Sequence, residues 1–184
     1  MAGFRHNETA HFYDYWRSLC DDGLPNYRLF DPIQIPKLMP NVLFLKTDDE
    51  DNFVYQFAGT DVCAFVGGDL TGRLMKDFFP SPEIYASTEN MPHAMLSVPC
   101  GQITAYQVRS ASGRECIAEF ATLPLSGADG TPDRLVVHMA IVETTGFGEG
   151  NPEVSRHLKA RWVDLGSGVP EYEGSTSLVL NPVF

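Results

Sequence analysis

Cations are scarce in this chain: thirteen Lys and Arg stand against twenty-four Asp and Glu in 184 residues, giving a formal charge of -11 at pH 7. No basic stripe interrupts the acidic surplus, and binding to phosphate relies on clustered cations, so direct binding to nucleic acid or anionic lipid is not expected. No apolar run of the eighteen or so residues needed to cross a bilayer as a helix is present, which excludes that kind of membrane insertion. The amino terminus, Met-Ala-Gly-Phe-Arg-His-Asn-Glu, lacks an apolar stretch ending in a small-residue cleavage site, and the expectation is a cytoplasmic protein. Cysteine is sparse and scattered. Cys20, Cys63, Cys100 and Cys116 form no Cys-x-x-Cys pair and have no histidines at zinc-site spacing, so they read as reduced, mostly buried thiols.

The signatures of common chemistries are missing too. There is no Gly-x-x-x-x-Gly-Lys-Ser/Thr loop, no Gly-x-Ser-x-Gly and no His-Glu-x-x-His, which removes the clearest marks of phosphoryl transfer, serine hydrolysis and zinc proteolysis. Gly146, Gly148 and Gly150 superficially suggest a dinucleotide loop, but the third glycine of that fingerprint would fall at Asn151. Asp48, Asp49, Glu50 and Asp51 lack the spaced oxygens and central glycine of a calcium loop and read as a solvated turn. No catalysis is expected.

What is present is a single globular domain with extensions, apolar to 43% and aromatic to 11%. Residues 8–22 carry Phe12, Trp16 and Leu19 at helical spacing, widened by Tyr15 and Cys20, with Asp14, Arg17 and Asp21 opposite. Such a stripe must be covered, by the chain's own sheet or by another subunit. Three prolines between Asp31 and Pro40 allow only short turns. Residues 41–47 and 53–58 read as a hairpin across the acidic turn, with Phe53, Tyr55 and Phe57 on one face. Gly59 permits a reversal, Thr60 is a suitable cap for a helix over 61–66, and Gly67 and Gly68 stop it. A turn at 74–79 and a helix from Ser81 and Pro82 towards Ser97 follow, with a kink or break expected near 88–91 because of Pro92. Strand-like runs occupy 102–109, 114–125 and 134–143. Residues 144–184 are glycine-rich, with a helix conceivable over 152–163.

Tyr15 and Trp16, Asp31 and Pro32, Ile35 and Pro36, Leu38 to Pro40, Gly59 and Thr60, and Leu70 to Arg73 occur in this order, and Arg161 to Gly166 with Gly168, Val169 and Pro170 follow near the end. In these the chain resembles the stand-alone PAS family of alphaproteobacteria, small sensory domains of bacterial signalling. The resemblance implies an α+β fold: a five-stranded antiparallel sheet with helices on one face and the amino-terminal helix outside that core. Residues 1–40 would form the amino-terminal helix and turns, 41–143 the PAS core and 144–184 an extension.

It also implies a regulator that acts through protein contacts, with a signalling partner such as a two-component system member, and a homodimer through Phe12, Tyr15, Trp16 and Leu19. Phe57, Cys63, Phe65, Met91, Met95, Tyr106, Phe120 and Met139 are the expected lining of the space between helices and sheet. That lining builds either a pocket for a small apolar ligand or a filled core. An obligate ligand or cofactor sensor is the alternative reading. His93 lies where some haem-binding PAS proteins place an axial ligand, and the competing reading is a surface histidine beside Pro92. Cys63, on the helix after Gly59 and Thr60, invites comparison with the photoactive PAS subgroup whose cysteine bonds to flavin, but that subgroup's Asn-Cys-Arg-Phe motif is absent, and a core thiol is the better reading. His138 is expected to pair with Glu119 or to face a pocket, and a scattered enzyme site would have to draw on Tyr106, His138 and Glu119.

Overall fold

Alternation over Phe53–Ala58 does produce a strand, and the acidic turn before it is held by Asp48, whose carboxylate accepts the amides of Glu50 (3.0 Å) and Asn52 (2.8 Å). The computed structural model describes residues 4–21, 23–79 and 82–170. Its elements are α1 (Asn7–Ser18), β1 (Val42–Thr47), β2 (Phe53–Ala58), α2 (Thr60–Val66), α3 (Pro82–Ser97), β3 (Cys100–Arg109), β4 (Arg114–Ser126), β5 (Pro132–Phe147) and β6 (Glu153–Asp164), with 3-10 turns at Tyr27–Leu29, Pro32–Gln34, Met39–Asn41 and Met75–Phe78. All strand pairings are antiparallel and the order across the sheet is β2-β1-β5-β4-β3-β6.

Among the described residues the sheet has six strands rather than five, because residues 153–164 form an edge strand on β3 and not a helix. A helix there would satisfy its own backbone but leave one edge of β3 bare and its apolar residues without a common face. As a strand it buries Ala160 and Trp162, two residues apart, and Val163 on the opposite side. Helix α3 is continuous across Pro92, so the expected break does not occur.

Side chains alternate between two cores. From β5, Leu135, Val137 and Met139 face α2 and α3, while Val136 and His138 face α1. We call these the inner and outer faces. Gly59 begins α2 with an ordinary φ of -65°, and its need for glycine is steric: a Cβ there would collide with the carbonyl oxygens of Met39 and Pro40. Gly67 ends the helix at φ 79°, a left-handed cap. The Leu70 to Arg73 motif then seals the edge of β2. Leu70 is buried in the inner core, the Gly72 amide donates to the Tyr55 carbonyl (2.8 Å), and the Tyr55 amide donates to the Arg73 carbonyl (3.0 Å).

The outer face is covered by α1 and the turns of residues 24–41. Phe12 and Trp16 are 0% and 1% exposed, and the Trp16 indole donates to the Pro124 carbonyl at 3.1 Å. Burying each contributes roughly 1.5–3 kcal/mol or more. Tyr15 pins the Asp31 turn at both ends: its hydroxyl donates to the Asp31 carbonyl (3.1 Å) and accepts the Asp31 amide (2.7 Å). The stripe expected at a dimer contact is therefore largely covered within the chain itself. Phe12 and Trp16 are consumed by the chain's own sheet, Tyr15 is committed to Asp31, and Leu19 packs against the same core.

Candidate functional site

Between the sheet's inner face and α3 lies an apolar cavity of about 110 Å³, adjoined towards α2 by a second of about 60 Å³. Leu43, Tyr55, Phe78, Phe120 and Val154 border both. Strand alternation builds the floor: Leu135 and Val137 from β5, Phe120 and Thr122 from β4, and Gln102, Thr104 and Tyr106 from β3 all project the same way. Met91, Pro92 and Met95 of α3 form the roof. An engineered apolar cavity of about 150 Å³ admits one benzene, so the larger chamber suits a molecule of about one small ring or less while α3 keeps its place.

Besides the phenols of Tyr55 and Tyr106, its polar side chains are three that β3 and β4 contribute. Gln102 and Thr104 are each 4% exposed, and Thr122 stands opposite Gln102 in the β3–β4 register. The Gln102 amide nitrogen is 3.1 Å from the Met91 thioether, a weak acceptor, so the group can turn to a better one at small cost. Among the described residues no charged side chain borders the larger chamber. Arg109 and Glu153 border the smaller and are paired with each other at 3.1 Å. Burial pushes the Tyr55 phenol up, which keeps it neutral.

Six of the eight expected lining residues are brought together: Met91, Met95, Tyr106 and Phe120 on the larger chamber, and Phe65, Phe120 and Met139 on the smaller. Two are not. The β1–β2 register slips between Phe44 and Leu45, leaving Gln56 unmatched, so Phe57 pairs with Phe44, stacks edge-on to it at 6.1 Å and lies 38% exposed beside the outer core. Cys63 faces the Ala58 carbonyl (3.6 Å) and Asp69 (3.9 Å) and is on neither chamber's wall. The polar floor residues Gln102, Thr104 and Thr122 were not anticipated, although they recur every second position along strands whose other members were.

The remaining candidates separate. His93 packs on Phe53 (4.8 Å between centroids), its Nδ1 is 3.6 Å from Asp51, and it does not border the cavity. With no histidine on its walls among the described residues and so small a volume, the cavity does not fit haem. Tyr106 belongs to the inner face, whereas Glu119 and His138 belong to the outer, so the three cannot converge on one reacting group. Glu119, 1% exposed, accepts the backbone amides of Arg5 (2.9 Å) and His6 (3.3 Å) and so holds the entry to α1. His138 is fully buried against Phe12, with neither ring nitrogen partnered among the described residues. Among the described residues no three His, Cys, Asp or Glu side chains cluster in a way that would hold a metal, and no helix is long and apolar enough to cross a membrane.

Among solved structures, the chain is similar to a light-oxygen-voltage domain studied with a flavin analogue (13% identity, TM-score 0.47, covering 64% of this chain and 86% of that one). It is also similar to an RNA-binding light-oxygen-voltage receptor (13%, 0.45, covering 67% and 36%) and to a fungal light-oxygen-voltage photoreceptor (13%, 0.43, covering 72% and 90%). Likeness at that level does not carry a chromophore or a partner across. No curated protein matches. A family model described as PAS domain matches residues 4–140, from the strand of chain entering α1 to the middle of β5, and the chain belongs to the PAS domain family.

Proposed function

We propose that this protein is a sensory PAS regulator whose inner cavity receives a small, largely apolar molecule carrying one hydrogen-bonding group, and which reports occupancy to a signalling protein, such as a two-component system member, through its surface. The observation that carries the reading is the arrangement of the cavity: a largely apolar chamber with Gln102, Thr104 and Thr122 on its floor and a roof of Met91, Pro92 and Met95. Methionine adapts its shape to what it meets, and Pro92 deprives α3 of one backbone hydrogen bond, so this wall yields more readily than the sheet opposite. A ligand that prefers one seating of α3 shifts the population towards it and alters the exposed side of that helix. Catalysis forms no part of the proposal, since Tyr106 lies on the face of the sheet opposite Glu119 and His138.

Native mass spectrometry of the protein purified from its own cells, alongside thermal melts with a panel of one-ring aromatics and short fatty alcohols, tests the reading. A retained small molecule, or a rise in Tm abolished by Val137→Phe, is expected. Neither retention nor any shift across the panel would refute it.

A further inference from the structure

The two edges of the sheet are treated differently. The β2 edge is occupied by the Gly72 to Leu74 segment, whereas β6, twelve residues long, has β3 as its sole neighbour among the described strands. Long bare edges are templates for further pairing. This one also gathers charge against the trend of the chain. Of thirteen Lys and Arg, β6 carries Arg156, Lys159 and Arg161, and Arg156 and Lys159 are exposed with no ion pair among the described residues. Lys159, Arg161 and Arg5 border a groove of about 410 Å³ on the sheet's outer face, and Leu158 beside them is 40% exposed. The groove's acid, Glu119, already accepts two backbone amides.

We propose that the β6 edge docks an acidic, extended segment of a partner protein, which pairs along residues 159–164 as a seventh strand. This does not depend on the cavity. The net charge of -11 does not forbid it, because at physiological salt the Debye length is about 8 Å and the local cations dominate at contact. Bulges at Ser155 and Leu158 interrupt the first half of the strand, which places the regular pairing surface at 159–164. A second copy paired along the whole strand is the poorer occupant, because it would set Arg156 opposite Arg161 and Glu153 opposite Asp164; a copy paired over 159–164 alone would set Lys159 opposite Asp164 and is an outcome the test must separate. The exposed cations of the edge admit an oppositely charged strand.

Fluorescence anisotropy with a labelled octapeptide of alternating Glu and Val, its Lys-for-Glu counterpart and a single-stranded oligothymidylate provides the test, with hydrogen exchange read on the full-length protein. The acidic peptide is expected to bind, to protect amides within 159–164, and to lose at least tenfold in affinity with Arg156→Glu/Lys159→Glu, whose circular dichroism should match the wild type. The proposal is overturned by no binding of the acidic peptide, by equal or tighter binding of the basic peptide or the oligonucleotide, or by binding without new protection at 159–164. Protection there before any peptide is added, or a dimer lost on charge reversal, would show the edge already taken and overturn it equally.

Discussion

Lowering the pH should loosen the outer core through one residue. His138 is 0% exposed between β5 and α1, its ring stacks on Phe12 at 5.3 Å, and neither nitrogen has a partner among the described residues. Burial, and secondarily the charge of His6, pushes its pKa down to about 4. An unfolded histidine titrates near 6.5. The unfolded chain therefore takes up a proton that the folded chain refuses, so stability is complete above about pH 6.5 and declines as the pH falls towards 4. The full penalty is on the order of 3 kcal/mol, and about 2 kcal/mol of it is felt by pH 5. Urea unfolding followed by circular dichroism at pH 7 and pH 5, on wild type and His138→Phe, isolates this residue, because every other titrating group is common to both. The wild type should lose about 2 kcal/mol more than the variant over that interval. Equal losses would refute the reasoning. A wild type that gains stability at pH 5 would mean that His138 is protonated against Glu119, reversing the sign.

Three further outcomes follow from the packing. Trp16→Ala should cost about 3–5 kcal/mol by leaving a hole in the outer core and an unpaired Pro124 carbonyl, so the chain should lose its fold in denaturant titrations rather than merely change size on a column. Gly59→Ala should cost about 1–3 kcal/mol or more because both obstacles are backbone carbonyls, while Gly68→Ala, with nothing within 4 Å, should leave Tm nearly unchanged. Glu119→Ala should free the amides of Arg5 and His6, at a cost of about 1.5–3 kcal/mol, and hydrogen exchange should quicken over residues 5–9 before any other part of α1.

Much of the fold was legible from local chemistry. The limits of β2 coincide with the alternation over 53–58, and Gly67 and Pro82 sit at helix ends for the reasons their backbones dictate. What escaped depends on distant partners. The slip at Gln56 reverses Phe57 and no property of residues 53–58 announces it. Residues 153–164 contain good helix formers, and only the open edge of β3 decides for a strand, although Leu158, Ala160 and Trp162 do show period two. The amphipathic stripe of α1 correctly demanded cover, but periodicity cannot say whose surface supplies it. In the cavity the aromatic and sulfur-bearing walls were readable by type, while Gln102, Thr104 and Thr122 were not, because a polar residue in a strand ordinarily faces water.

Methyl-resolved NMR of the full-length protein titrated with benzene examines the inner chamber most directly. Shifts at the Met91 and Met95 methyls, with those of outer-face residues such as Val136 unmoved, are what a ligand-receiving space between α3 and the sheet requires. Saturating benzene without effect on those two methionines, or with its largest effects beside α1, would contradict it.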